Sequence, residues 1–200
     1  IFWTTPNSFV ATANCGILSG LKIDFVDIDP NTWNLSLEKL ENKLIKAKKI
    51  KKLPKLVIVV HLGGLPINPI KLKKLSKKYK FKIIEDASHS LGAKYYSKNV
   101  GCSIWSDITV FSFHPVKIIT TGEGGCCLTN SKKYYEKLKA LRTNGIVRDR
   151  KRFKFKNLGP WYYEQHLLGY NFRMSDIQSS LGISQLKKIK SFLIKRNRIA

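Results

Sequence analysis

Short apolar runs alternate along the chain with segments that have the period of an amphipathic helix. Residues 56–62 (LVIVVHL) are nearly all apolar, as expected for a strand buried on both faces, and a glycine pair ends the run. Ser36 can cap a helix in which Leu40 and Leu44 share one face. This part of the chain therefore predicts a helix followed by a buried strand.

The same patterns assign the remaining elements. They predict helices over residues 8–18, 70–79, 131–144 and from 175 onward, and strands over residues 23–28, 81–85, 108–113 and 125–129. Residues 146–166 are polar, basic and aromatic, which predicts a long loop. Strands that alternate with helices indicate βαβ units. The predicted fold class is therefore α/β, with a mainly parallel sheet and helices on both faces.

The charge balance is the extreme feature of the composition. The 200 residues include 37 Lys and Arg against 13 Asp and Glu, for a formal net charge of +24. This balance excludes an acidic tail and leaves nucleic acid or an anionic ligand open as a partner. The basic residues are mostly Lys and are scattered over several predicted helices, where solvated faces with apolar stems are the ordinary explanation. A dedicated nucleic-acid-binding surface is therefore the weaker alternative.

The expected cellular location rests on the absence of membrane, export and disulfide signals in the sequence. No apolar stretch reaches the length of a membrane helix, and the first residues do not resemble a signal peptide. The four cysteines include no C-x-x-C pair, and the histidines lie in separate segments, so we predict reduced thiols, no metal site and a cytoplasmic location. The start without Met and the end at Ala200 predict a fragment of a longer protein.

Polar residues follow the predicted strands at the points where each strand ends. They lie in residues 85–89 (EDASH) and 112–117 (SFHPVK), and residues 7–9 (NSF) lead into the first helix. In open parallel sheets, ligands bind at the carboxyl ends of the strands. A carboxylate, a lysine, a hydroxyl and an aromatic ring fit pyridoxal phosphate, whose pyridine nitrogen, aldehyde, phosphate and ring face each need one of them.

Four segments in order resemble the motifs of the DegT/StrS-type nucleotide-sugar aminotransferases. They are residues 5–14 (TPNSFVATAN), 85–93 (EDASHSLGA), 112–125 (SFHPVKIITTGEGG) and 169–174 (GYNFRM). They spread over nearly the whole chain, which makes the set far more specific than any one motif. The residues of the third motif most resemble the branch of the family that makes 4-amino sugars for pseudaminic acid.

The resemblance implies a role for each matched residue around pyridoxal 5'-phosphate. The expected roles are Lys117 as the catalytic lysine linked to the aldehyde, Asp86 at the pyridine nitrogen, His89 beside the phenolic oxygen, Ser112 on the phosphate, Phe9 stacked on the ring, and Asn171 on the phosphate of the neighbouring subunit. The last role implies a homodimer. The implied fold is the large domain of the PLP-dependent transferase fold type I, the aspartate aminotransferase-like fold.

The resemblance also implies the reaction and the extent of the chain. The amino group would pass from L-glutamate to C4 of a UDP-linked 4-keto-6-deoxy-N-acetylhexosamine. Lys117 is present where a dehydratase relative has His, which favours transamination. Residues 1–200 would form the central part of the large domain, without its N-terminal segment and without the small C-terminal domain. Another nucleotide-sugar 3- or 4-aminotransferase, an inactive remnant and the nucleic-acid-binding protein remain the alternatives, and the role of the basic loop 146–158 stays open.

Overall fold

A computed structural model describes residues 1–155 and 159–199. The strands are β1 (Phe2–Thr4), β2 (Ile23–Phe25), β3 (Leu56–Val60), β4 (Lys82–Asp86), β5 (Lys94–Tyr95), β6 (Lys98–Asn99), β7 (Ile108–Ser112), β8 (Gly125–Leu128), β9 (Ile146–Val147) and β10 (Glu164–Gln165). The helices are α1 (Ala11–Leu18), α2 (Leu37–Lys49), α3 (Pro69–Tyr79), α4 (Lys132–Leu141), α5 (Asp176–Lys187) and α6 (Ile189–Ile199). Two short 3₁₀ turns lie at Leu62–Gly64 and Arg150–Arg152.

A six-stranded sheet forms the centre of the fold, in the order β2-β1-β3-β4-β7-β8. The pairs from β2 to β7 are parallel, and only β8 runs antiparallel to its neighbour β7. The prediction of a mainly parallel sheet is therefore confirmed. Because the parallel strands point the same way, their carboxyl ends share one edge of the sheet.

Helices cover both faces of this sheet. On one face, α2 and α3 pack on the strands through a buried cluster that includes Trp3, Val57, Leu44 and Leu72. On the other face, α1 lies against the Phe2 ring, close to Gly16. Adjacent strand residues point to opposite faces, so Phe2 and Trp3 each serve one layer.

Serine caps fix the beginnings of three helices, and the first of them, Ser36, is the cap that the sequence analysis names. Ser36, Ser131 and Ser175 each accept a hydrogen bond from the backbone amide three residues later. Ser175 also forms a reciprocal capping box with Gln178. These caps satisfy amide groups that a helix leaves unpaired in its first turn.

The sequence analysis misses or misplaces several boundaries. Strand β1 is absent from the predicted elements because three residues are too few to show a period. The predicted loop at 146–166 contains the antiparallel pair β9 and β10, and its residues 156–158 lie outside the described residues. The single helix predicted from residue 175 is two helices, α5 and α6.

The structure also bears on the membrane question. Within residues 1–155 and 159–199, none of the helices combines the length and the apolar character needed to cross a bilayer.

Candidate functional site

Two of the predicted site residues lie at the carboxyl ends of neighbouring strands. Asp86 is the last residue of β4 and Ser112 is the last residue of β7. The register pairs Asp86 with Val110, and the amide of Ala87 donates to the Val110 carbonyl at 2.8 Å. Asp86 and Ser112 therefore share the edge of the sheet at which the sequence predicts the site.

The Asp86 carboxylate is fixed by side chains that the sequence analysis did not select. Thr12 Oγ1 donates to Oδ2 at 2.7 Å, and Ser8 and Thr12 share a 2.8 Å hydrogen bond. Ser88 donates to Oδ1 from its hydroxyl at 2.6 Å and from its amide at 3.2 Å. A carboxylate has about four acceptor positions, so these three donors leave about one position free for a ligand.

Helix α1 brings the Thr12 hydroxyl to Asp86 because its first turn begins at this edge of the sheet. Thr12 is 5% exposed, and Gly16, one turn later, is also buried against the sheet. Phe9 precedes the helix, and its carbonyl accepts from the amide of Thr12 at 3.1 Å. The Phe9 ring is 76% exposed, so it is not a core residue and is free to contact a ligand.

His89 is electrostatically linked to both Asp86 and Lys117. Partial burial lowers the pKa of His89, the positive charge of Lys117 lowers it further, and the Asp86 carboxylate opposes the shift. Charge interactions of this kind act over several ångströms, so Asp86 and Lys117 lie in the same region of the molecule as His89. A lysine, a carboxylate and an imidazole whose pKa is lowered therefore share one end of the sheet.

The Lys117 loop, residues 113–124, connects β7 to β8 and is closed at its base. Ser112 pairs with Gly125, and the amide of Phe113 donates to the Gly124 carbonyl at 2.8 Å. The Lys117 amide donates to the His114 carbonyl at 3.0 Å, and its carbonyl accepts from Arg196 of α6 at 3.1 Å. The main chain of Lys117 is thus held from both sides.

A cavity of about 290 Å³ lies between the Lys117 loop and α6. Its polar lining consists of Lys117, Thr120, Gln185, Lys195 and Arg196. Among the residues that the structure describes, its lining includes Lys117 but none of the other predicted site residues, so this cavity adjoins the lysine without joining it to Asp86.

A second, buried pair lies beneath Asp86. Glu85 Oε2 accepts from Thr109 Oγ1 at 2.6 Å and from Ser106 Oγ at 2.9 Å, and His61 Nε2 lies 3.7 Å from Oε1. Burial opposes ionisation of Glu85, but His61 and the two hydroxyls hold its pKa below the ordinary value. The His61 amide also donates to the Asp86 carbonyl at 3.1 Å, so this network supports the strand end that carries the site.

Asn171 occupies a different place from the other predicted residues. It is exposed and forms an isolated bridge with Thr143 just after α4. In the part of the chain that the structure describes, no side-chain hydrogen bond joins it to the other five predicted site residues. The structure thus brings Asp86, His89, Ser112, Lys117 and the Phe9 segment to one edge and leaves Asn171 on the surface.

The cysteines and histidines were the other residues that could form a reactive or metal-binding centre. All four cysteines are free thiols. Among residues 1–155 and 159–199, no three His, Cys, Asp or Glu side chains are grouped as they would be around a metal ion.

Comparisons with known proteins place this arrangement in a family. The model of the DegT/DnrJ/EryC1/StrS aminotransferase family matches residues 3–200. The chain is 42% identical over 199 residues to the UDP-4-amino-4,6-dideoxy-N-acetyl-beta-L-altrosamine transaminase of Campylobacter jejuni, and the match covers 100% of this chain and 49% of that protein. The chain spans about half the length of the curated relatives that it matches.

Two solved structures extend the comparison. PseC of Helicobacter pylori, an aminotransferase involved in the biosynthesis of pseudoaminic acid, superposes with a TM-score of 0.81 at 36% identity, over 94% of this chain and 46% of that chain. The sugar aminotransferase CalS13 of Micromonospora echinospora gives a TM-score of 0.79 at 28% identity, over 95% of this chain and 49% of that chain. The predicted PLP-dependent transferase fold type I is thereby confirmed. The chain belongs to the DegT/DnrJ/EryC1/StrS aminotransferase family.

Proposed function

We propose that this chain is the central part of the cofactor-binding large domain of a nucleotide-sugar aminotransferase. The whole enzyme takes an amino group from L-glutamate and delivers it to C4 of a UDP-linked 4-keto-6-deoxy-N-acetylhexosamine, in surface-glycan synthesis in the cytoplasm. The observation that carries this proposal is the Asp86 carboxylate, which Thr12 and Ser88 hold at the same sheet edge as Lys117.

The donor set fits pyridoxal 5'-phosphate. This cofactor requires a carboxylate at the pyridine nitrogen and a lysine at the aldehyde, and it supplies a ring that accepts the electrons of a carbanion. Asp86 has about one free acceptor position for an N–H donor. Lys117 is half-buried on a loop with a fixed base, and Ser112 ends the neighbouring strand.

Each residue of this chain then has a defined task. Asp86 would hold the proton on the pyridine nitrogen, and the exposed Phe9 side chain would be available to cover one face of the ring. The Ser112 hydroxyl donates to the phosphate. The Lys117 amine would hold the cofactor at its aldehyde, and as the general base and acid of the site it would take the proton from Cα of glutamate and supply one at C4 of the sugar. His89, whose pKa is lowered, stays neutral beside Lys117 near pH 7.

The exposed position of Asn171 supports a homodimer in this proposal. Within one chain it lies apart from Asp86 and Lys117, on a surface that also exposes Tyr170 (59%) and Phe172 (71%). In the dimer, Asn171 reaches the phosphate in the neighbouring subunit's site. Aromatic residues beside a polar contact are common at such interfaces.

The identity of the nucleotide sugar that accepts the amino group is the most specific part of the proposal. The relatives named as altrosamine transaminases support a 4-amino sugar on UDP, since they match the chain at about 40% identity. The second candidate is another nucleotide-sugar 3- or 4-aminotransferase, favoured by the relatives named GDP-perosamine synthase at 32% identity. Both candidates use the same cofactor residues.

The test is a pyridoxal phosphate titration of the purified chain, followed by borohydride reduction and peptide mass spectrometry. We expect one adduct, on Lys117, that Lys117→Arg abolishes and that Lys48→Arg on α2 leaves unchanged. Amino transfer from glutamate to the UDP-4-keto sugar is then measured on the full-length enzyme. Adducts spread evenly over the many lysines would refute the cofactor site, and transfer to a GDP-linked sugar alone would favour the second candidate.

A further inference from the structure

His114 lies between the two residues that the proposed function assigns to phosphate and aldehyde. Its amide donates to the Ser112 hydroxyl oxygen at 3.3 Å, and its carbonyl accepts from the Lys117 amide at 3.0 Å. The main chain of this one residue therefore contacts both Ser112 and Lys117.

The imidazole of His114 adds a third contact within the same turn. Its Nδ1 accepts from the Val116 amide at 3.3 Å. Pro115 has no amide hydrogen, so the first two amide donors after His114 belong to Val116 and Lys117. Both of these amides donate to acceptors of His114. The turn that leads to the lysine thus depends on acceptors of a single residue.

The remaining ring nitrogen faces the other end of the Lys117 loop. Because Nδ1 is an acceptor, the neutral ring carries its proton on Nε2, which lies 3.8 Å from Oε1 of Glu123. The Glu123 carbonyl is itself held by the Thr121 hydroxyl at 2.8 Å and by Gln178 of α5 at 3.0 Å. The His114 ring therefore points toward an anchored segment.

We propose that His114 is a positioning residue that keeps Lys117 in register with Ser112. The proposal rests on the proposed function and adds to it a residue that touches neither the cofactor nor the substrate. With the Val116 amide unpaired, the turn can relax, and the lysine then loses its fixed spacing from the phosphate hydroxyl. A phosphate held at Ser112 then no longer directs the aldehyde to Lys117.

The test compares the rates at which pyridoxal phosphate and pyridoxal modify Lys117, measured by borohydride trapping and mass spectrometry. The ratio of the two rates measures the benefit of the phosphate. His114→Ala removes the Nδ1 acceptor, and we expect the ratio to fall about tenfold, the effect of about one hydrogen bond. His114→Asn restores an acceptor for the amide two residues later, so we expect the ratio to return toward wild type.

The outcomes separate this inference from the function on which it rests. The His114 side chain is 47% exposed, so both variants should fold, and circular dichroism verifies this. A general defect would slow both aldehydes equally and leave the ratio unchanged, which would overturn the positioning role. An unchanged ratio in His114→Ala, with a phosphate benefit in the wild type, would refute this inference alone. A full-length wild-type enzyme with no phosphate benefit at Lys117 would refute both.

Discussion

Gly16 lies so close to Phe2 that a Cβ on the glycine would stand 2.3 Å from the phenyl ring. Helix α1 can rest on the sheet only because this position has no side chain. The same face of the helix carries Thr12, one turn earlier, to Asp86. The absence of one methyl group therefore sets the distance between the helix and the site.

Gly16→Ala should destabilise the chain by about 1–3 kcal/mol, the usual cost of overpacking. In a helix without such a contact, the same change would stabilise by about 0.5–1 kcal/mol. The sign of the change in the free energy of unfolding, measured in urea, therefore shows whether the contact with Phe2 outweighs the helix propensity of alanine. Phe2→Leu should relieve part of the clash, so Gly16→Ala should cost less stability in a Phe2→Leu background than in the wild type, and equal costs in the two backgrounds would contradict this packing.

Thr12→Val removes the hydroxyl that donates to Asp86 and keeps the shape of the side chain. Hydrogen bonds to charged groups contribute about 1.5–3 kcal/mol, so we expect about a tenfold or larger rise in the dissociation constant for pyridoxal phosphate. Thr32→Val, at an exposed turn, is the matched control. Equal affinity in both variants would show that Thr12 does not orient the carboxylate.

The pKa of His89 reports on its neighbours without any ligand. Lys117→Met removes a positive charge, so the pKa of His89 should rise toward its ordinary value of 6.5, whereas Asp86→Asn should lower it further. Imidazole proton shifts in an NMR titration measure both changes. Lys48→Met, on α2, should leave the titration unchanged. No response to Lys117→Met would place the lysine away from His89.

Thr109→Val tests the buried network beneath Asp86. The hydroxyl donates to Glu85, and its loss should destabilise the fold by about 1–3 kcal/mol near pH 7. The pKa of Glu85 is lowered in the folded chain, so its contribution is present above the ordinary value of 4.5 and is lost as the pH falls below it. Unfolding curves at pH 7 and pH 4 should therefore differ less for the variant than for the wild type.

Glu164 provides the pH-dependent contact of the basic loop. Burial alone would raise its pKa, but the Lys154 amide, His166, the Phe155 amide and Tyr162 together lower it to about 2. The carboxylate therefore stabilises the loop fully above about pH 4.5, and this effect is lost as the pH falls toward 2.

Amide hydrogen exchange at Lys154 and Phe155 measures this effect. Both amides donate to Glu164, at 2.9 Å and 3.0 Å. We expect protection at pH 6, weaker protection at pH 3, and weak protection at both pH values in Glu164→Gln. Protection that does not change with pH in the wild type would contradict the role of the carboxylate.

The sequence predicts those parts of the molecule that depend on hydrophobic periodicity or on residues adjacent along the chain. The pattern correctly places the apolar run of β3, the Ser36 cap and the residues at the ends of β4 and β7. The order of the strands in the sheet cannot be predicted from the hydrophobic pattern, because strand pairing depends on contacts between segments that are distant in sequence.

The missed residues lie in segments that the sequence analysis quotes, but the sequence pattern does not show which atoms their side chains contact. Thr12 and Ser88 are ordinary polar residues until the fold places them on Asp86. Glu164 lies in a segment that composition alone predicts as a loop, yet it is buried and accepts four hydrogen bonds. The one available signal was a glutamate among aromatic residues in an otherwise basic segment.

The contact between Thr12 and Asp86 joins segments 74 residues apart. The ligand pocket consequently does not exist in any unfolded or half-folded chain, because its groups meet only after the parallel strands have paired. A molecule that binds there has no affinity for the unfolded state and shifts the folding equilibrium by mass action. At a free ligand concentration one hundred times its dissociation constant, binding would add about 2.7 kcal/mol to the free energy of unfolding. The stability of the folded protein therefore depends on the concentration of its ligand.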